Sequence, residues 1–108
     1  MGYVIKHNKI ELVRGDTLRA HVDILCDGEA YELREGDSLR FALKKSYNSK
    51  TVIINKVIPA ETLMLTLDPE DTAGLDGGVY VYDIELTFAN GDIDTFIRDE
   101  LHLLPDVV

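Results

Sequence analysis

The sequence predicts an all-β protein: an antiparallel β-sandwich of about seven strands with one short helical turn near residues 68–74. Three observations predict it. Apolar side chains recur at every second position through most of the chain, which is the period of half-buried strands. Clusters of Gly, Asn and Asp interrupt these runs at short, regular intervals. Only one segment, Asp68-Pro69-Glu70-Asp71-Thr72-Ala73, changes to a helical signature. Short strands with one dry face each must bury that face against another layer, and a sandwich or small barrel is the economical solution.

The longest alternating run, Leu75 to Phe88, is the element around which the rest is arranged. Tyr80, Tyr82, Ile84, Leu86 and Phe88 share one face, and Asp83, Glu85 and Thr87 share the other. Asn90-Gly91 follows where a two-residue hairpin needs positive φ at both central positions. Folding back across that turn pairs Phe88 with Ile93, Leu86 with Thr95, Ile84 with Ile97 and Tyr80 with Leu101 on the dry face. Asp83 meets Arg98 on the wet face, an opposite-charge pair contributing about 0.2–1 kcal/mol. Tyr82 falls opposite Asp99, so either its hydroxyl is satisfied there or a bulge near Arg98-Asp99-Glu100 resets the pleat.

The other elements follow in chain order. Tyr3-Val4-Ile5 and Lys9 to Val13 read as a first strand broken at Asn8, closed by Arg14-Gly15-Asp16. That tripeptide matches an adhesive motif, but Gly-Asp between two strands is ordinary turn chemistry. Thr17 to Cys26 is a second strand with Leu18, Ala20, Val22, Ile24 and Cys26 inward. After the turn Asp27-Gly28-Glu29-Ala30 and the polar break at Arg34-Glu35-Gly36-Asp37, Leu39, Phe41 and Leu43 form another inner row. Residues 47–50 form an exposed loop. Val52 to Ile58 is apolar on both parities and ends at Pro59, which fits a strand covered on both sides or a bulged edge. Leu63, Leu65 and Leu67 line the next strand. Asp68 then caps, Pro69 suits the first helical position, and Glu70 and Asp71 complement the helix dipole before Gly74 ends the turn.

Composition bounds the function. A length of 108 residues, 45% of them apolar, suits a single domain spanning 1–108 with one core. Eleven Lys and Arg against 20 Asp and Glu leave a formal charge of −9, which argues against non-specific binding to nucleic acid or to an anionic membrane. No apolar run reaches the roughly 20 residues of a membrane span. The start Met1-Gly2-Tyr3 has neither a secretory signal pattern nor, with Lys6, a myristoylation pattern, so synthesis in the cytoplasm is expected. The lone Cys26 makes no intrachain disulfide and reads as a small core residue.

No chemistry-bearing motif emerges. His7, His21 and His102 lie on separate strands without metal-ligand spacing. Asp68-Glu70-Asp71 is accounted for by helix capping and Asp92-Asp94 by a hairpin shoulder, and neither is an oxygen-rich calcium loop. There is no nucleophile elbow and no glycine-rich phosphate cradle. The expectation is a protein that is not an enzyme and takes no metal and no cofactor. Carbohydrate binding calls for exposed rings, and Tyr47 and Phe96 are the two candidates. Phe96, opposite Glu85 on the wet face, also suits packing on a neighbouring chain.

A helical turn followed by Gly78-Val79-Tyr80-Val81-Tyr82 resembles the corner of immunoglobulin-like domains, in which a tyrosine two residues before a core position bonds its hydroxyl to upstream backbone. Tyr80 stands at that tyrosine and Tyr82 at the core position; the alternative is that Tyr80 is simply a large inward side chain. An antibody-type domain is excluded, because Tyr82 replaces the cysteine, there is no Trp, and Gly74 to Gly78 is longer. Four stretches together carry a wider likeness: Arg14-Gly15-Asp16-Thr17, Leu67 to Ala73 leading to Gly78 through Ile84, Asn90-Gly91, and Leu104-Pro105-Asp106-Val107. As a set they are similar to small immunoglobulin-like domains of phages and prophages of Gram-positive bacteria, including the N-terminal domain of upper baseplate proteins. The likeness spans nearly the whole chain, although baseplate proteins continue past this domain and this sequence stops at Val108.

The resemblance implies a tail- or baseplate-associated structural module without catalysis. Its partners would be other virion or tail proteins, or further copies of itself, and neither nucleic acid nor membrane. The protein would be made in the bacterial host and become a virion component. Sandwich edges must be blunted or used, so the N-terminal strand or Val52–Ile58 is the expected route of association. A carbohydrate-binding or host-surface adhesion module is the alternative.

Overall fold

A computed structural model describes residues 3–6, 8–26 and 28–106, and of residues 4–6 and 26 the backbone alone. His7 therefore lies outside the described residues, as does the inward placement of the Cys26 side chain. The all-β sandwich is the architecture found. Among the described residues ten strands and one helix follow in chain order: β1 (Tyr3–Lys6), β2 (Lys9–Val13), β3 (Leu18–His21), β4 (Leu25–Cys26), β5 (Glu29–Ala30), β6 (Ser38–Lys44), β7 (Ile54–Ile58), β8 (Met64–Leu67), α1 (Pro69–Ala73), β9 (Gly78–Thr87) and β10 (Ile93–Leu104).

One layer is a six-stranded sheet in the order β1-β2-β10-β9-β6-β7. The other is built on the pair β3-β8, and a small hairpin joins β4 to β5. The dry rows of the two layers close one core. β9 contributes Tyr80, Tyr82, Ile84 and Leu86, β6 contributes Leu39, Phe41 and Leu43, and β10 contributes Leu101 and Leu103. From the facing layer come Leu18 on β3 and Leu65 and Leu67 on β8. The rings of Phe41 and Tyr82 lie 5.3 Å apart at the centre of this cluster.

The organising strand thus sits between β6 and β10 with both backbone edges paired, and four sequence expectations need correcting around it. The sheet is not antiparallel throughout, because β2 runs parallel to β10 with Leu101 beside Ile10 and Leu103 beside Leu12. The break at Asn8 is a full reversal: Asn8 adopts φ 76°, and β1 folds back antiparallel on β2. The run predicted as one strand from Thr17 to Cys26 is split into β3 and β4, with residues 22–24 outside both. Val22 and Ile24 nevertheless point inward and are buried, so the alternation outlasts the ladder.

The fourth correction concerns the β9–β10 hairpin. Phe88 donates its N–H to the carbonyl of Asp92 at 2.8 Å, and Gly91 donates to the carbonyl of Phe88 at 2.9 Å. The loop is therefore three residues, Ala89-Asn90-Gly91, with positive φ at Gly91 (96°) and not at Asn90. A three-residue loop of this kind ends in a left-handed residue. The pairs Phe88–Ile93 and Leu86–Thr95 are accordingly replaced by Thr87–Ile93, Leu86–Asp94 and Glu85–Thr95. A bulge between Thr95 and Ile97 then adds one residue to β10, and the predicted pairs Ile84–Ile97, Asp83–Arg98 and Tyr80–Leu101 are restored. The bulge falls at Phe96 and not near Arg98-Asp99-Glu100. It must fall before Ile97, since without it the apolar row of β10 would face solvent.

In the loop, Asn90 Oδ1 accepts the Asp92 N–H at 2.9 Å, so the two predicted turn residues act differently: Asn90 through its side chain, Gly91 through its backbone. A Cβ at position 91 meets no atom within 4 Å, and the left-handed φ is the whole obstacle. Gly91→Ala should therefore cost about 1–2 kcal/mol of stability, read as a lower urea midpoint with an unchanged slope. A midpoint equal to that of the parent protein would contradict the three-residue loop.

Candidate functional site

The residues singled out by the sequence fall into two places. Gly78 and Tyr80 belong to a polar knot at one end of the sandwich. Gly78 opens β9 with φ 149° beside Leu103 of β10. The Tyr80 hydroxyl donates to the carbonyl of Asp76 at 2.7 Å, four residues upstream, which is the corner bond. Tyr80 is therefore more than a large inward side chain. Burial, and after it the charge of Asp76, raises its pKa and keeps the phenol protonated as donor. Lys45 Nζ lies 4.6 Å from the centre of the same ring.

The helix beside this corner is held from several sides. Asp71 accepts the N–H of Asp68 at 2.7 Å, the returning half of a capping box. Lys56 of β7 reaches Asp71 at 2.9 Å and Asp68 at 3.6 Å, and the hydrogen bond to Asp71 raises the Lys56 pKa. The buried Thr72 accepts the Gly15 N–H at 2.9 Å. Arg14 donates to the Leu75 carbonyl at 3.2 Å and pairs with Asp106 at 2.7 Å, which holds that carboxyl below its usual range. Arg14-Gly15-Asp16 is thus a fastener between α1 and the C-terminal end of β10, and its guanidinium is engaged within the domain. The four-stretch likeness of the sequence had linked these segments without any contact to explain it.

The second place is the solvent-facing side of the large sheet. A concavity there is lined by Ala42, Lys44, Tyr47, Val81, Asp83, Thr95 and Arg98. Tyr47 is exposed in the β6–β7 loop, and the Arg98 guanidinium lies 4.6 Å over its ring. Arg98 sits beside Asp83 in register but makes no ion pair with it, since the cation stacks on Tyr47 instead. Phe96 is not on this face. At the bulge it turns toward the core and is half-buried against it, while Thr95 occupies the predicted place opposite Glu85. The two rings proposed as a platform therefore do not come together, and the exposed one, Tyr47, has Arg98 stacked over its ring.

Tyr82, the doubtful position opposite Asp99, is satisfied elsewhere. Its hydroxyl donates to the carbonyl of Asn8, tying the turn between β1 and β2 to the sheet. Burial, then the charge of Asp99, drives its pKa well above the ordinary phenol value. At the far end of the sandwich Asp37 accepts from the Tyr31 hydroxyl at 2.7 Å, the Arg34 N–H at 3.0 Å and the Ala89 N–H at 3.0 Å. These bonds, the one from the Arg34 N–H first, lower its pKa. Gly36 fits beside them because a Cβ there would lie 2.8 Å from that of Ala89. This loop-to-hairpin clasp was missed in the sequence, where Gly36-Asp37 gave only a turn signal.

His21 lies 3.2 Å from Asp23 and His102 2.9 Å from Glu100. Among the described residues no three His, Cys, Asp or Glu side chains converge as metal ligands would. No described helix is long and apolar enough to cross a membrane. The chain matches no protein-family model and no curated protein.

Two measurements test these bonds. Tyr80→Phe should cost about 1–3 kcal/mol, since the Asp76 carbonyl loses its partner in a partly buried corner; an unchanged melting temperature would remove the corner from the account. Asp37 has a folded pKa below its unfolded one, so its stabilisation is present above the ordinary carboxylate pKa of about 3.9 and is lost as pH falls further. Asp37→Ala should therefore melt earlier than the parent near neutrality, with the gap closing below that pH. A gap independent of pH would contradict the clasp.

Proposed function

We propose that this chain is a non-enzymatic structural module of a phage or prophage particle, associated with the tail or baseplate, that works through protein–protein assembly. Its partners in this reading are other virion proteins or further copies of itself, and it is made in the cytoplasm of the bacterial host before joining the particle. The reading rests on the set of motifs shared with phage immunoglobulin-like domains. The observation that carries it is that both segments expected to mediate association, the N-terminal strand and the strand within Val52–Ile58, are the two edges of the six-stranded sheet. An edge strand presents unpaired backbone donors and acceptors to any chain that can add to it.

A carbohydrate-binding role receives less support, because its two-ring platform does not form and Arg98 stacks over Tyr47. The test is cosedimentation of the purified protein with tail particles of the phage or prophage that encodes it, combined with light scattering on the protein alone. Association with the particles, or self-association at high concentration, is expected. A strict monomer that ignores the particles and binds a glycan array through Tyr47, with binding lost in Tyr47→Ala, would replace the assembly reading.

A further inference from the structure

We infer that strand β7 is the docking edge of the domain and takes up an extended acidic segment of a partner protein as an added strand. The inference rests on the assembly reading and names the edge and the chemistry of its partner.

Charge is the first support. Residues 38–60 contain Arg40, Lys44, Lys45, Lys50 and Lys56 and not one Asp or Glu. The other six cations share the rest of the sequence with all 20 acids. These residues hold β6, the Tyr47 loop and β7, so the excess of positive charge gathers at one edge of an otherwise acidic domain. Arg40 and Lys44, both on the solvent side of β6, make no ion pair among the described residues. Glu85 of β9 lies beside Arg40 in register, but no acidic residue of β6, the loop or β7 offsets the cations, and the hairpin as a whole attracts an acidic strand.

The edge itself is the second support. β7 pairs with β6 in unbroken register from Leu39–Ile58 to Leu43–Ile54 and with no other strand. Natural edges are guarded by lysines or inward-pointing charges, internal prolines, bulges or a covering element. Here Pro59 comes only after the strand, the ladder has no bulge, and the one charged residue, Lys56, shares a face with the buried Ile54 and Ile58 and has its ammonium paired with Asp71 and Asp68. What remains at the surface is Asn55 and Val57, the latter 65% exposed, with Val52 and Ile53 just before them. Such an edge is open to strand addition. A second copy joined symmetrically through β7 is the wrong occupant, since it would bring two basic hairpins together. A glycan has no regular row of amides to match the unpaired ladder of an edge strand.

The test uses two short labelled peptides, one alternating Val and Glu and one alternating Val and Lys, titrated into the whole domain by fluorescence anisotropy and followed by backbone amide NMR. The Val/Glu peptide should bind, more weakly as salt rises, with shifts concentrated in Ile54–Ile58, and the Val/Lys peptide should not. Arg40→Glu combined with Lys44→Glu should weaken binding about tenfold or more, equivalent to roughly 1.4 kcal/mol. Val57→Glu, an exposed change that leaves the core intact, should weaken it as well. Equal binding of both peptides, no binding of either, or shifts confined to the Tyr47 concavity would overturn the inference. If the peptides fail but the domain cosediments with tail particles, the edge is wrong and the assembly reading survives. If Val/Glu binding at β7 is found without cosedimentation, the edge stands and the tail assignment falls.

Discussion

Everything in this domain depends on β9 being dry on one face and hydrogen-bonded along both edges. A strand in that position must show strict two-residue alternation, because a one-residue slip would send Tyr80, Tyr82, Ile84 and Leu86 into water and bring Asp83 and Glu85 into the core. Burying such a row is worth about 1.5–3 kcal/mol per large side chain. The neighbouring strands have no comparable freedom. β6 and β10 must set Phe41, Leu43, Leu101 and Leu103 against that row, and the facing layer must cover it with Leu18, Leu65 and Leu67.

The β9–β10 hairpin shows how this constraint overrides local turn preference. Asn90-Gly91 is a strong signal for a two-residue turn, yet the loop takes three residues and shifts the first pairs by one. The bulge before Ile97 takes the shift back out. Two local irregularities cancel, and the core sees the register it requires. The same event turns Phe96 from the wet face toward the core, so a change of one residue in the ladder also removes half of a possible ring platform.

Around the paired strands, the irregular segments are held by side chains bonded to backbone. The corner bond of Tyr80, the link from Thr72 to Gly15, the Arg14 fastener, the bond from Tyr82 to Asn8 and the Asp37 clasp each satisfy polar groups that no ladder reaches. None of them engages the backbone of β7. The irregular segments are closed by the domain's own side chains, and β1 and β7 remain the edges of the large sheet.

The sequence by itself determined most of the strands and their dry faces, the helical turn near 68–74, the corner at Tyr80 and the central place of the run 75–88. Each follows from a period of two or from the φ and hydrogen-bonding demands of Gly, Pro, Asp and Asn, which act within a few residues. Only the tertiary structure decided that β1 reverses onto β2, that β2 runs parallel to β10, that Asp37 clasps Ala89, and that Arg98 stacks on Tyr47 in preference to pairing with Asp83. These are contacts between residues far apart in the chain. Local propensity is silent about them, because their geometry exists only once the two layers have closed on each other.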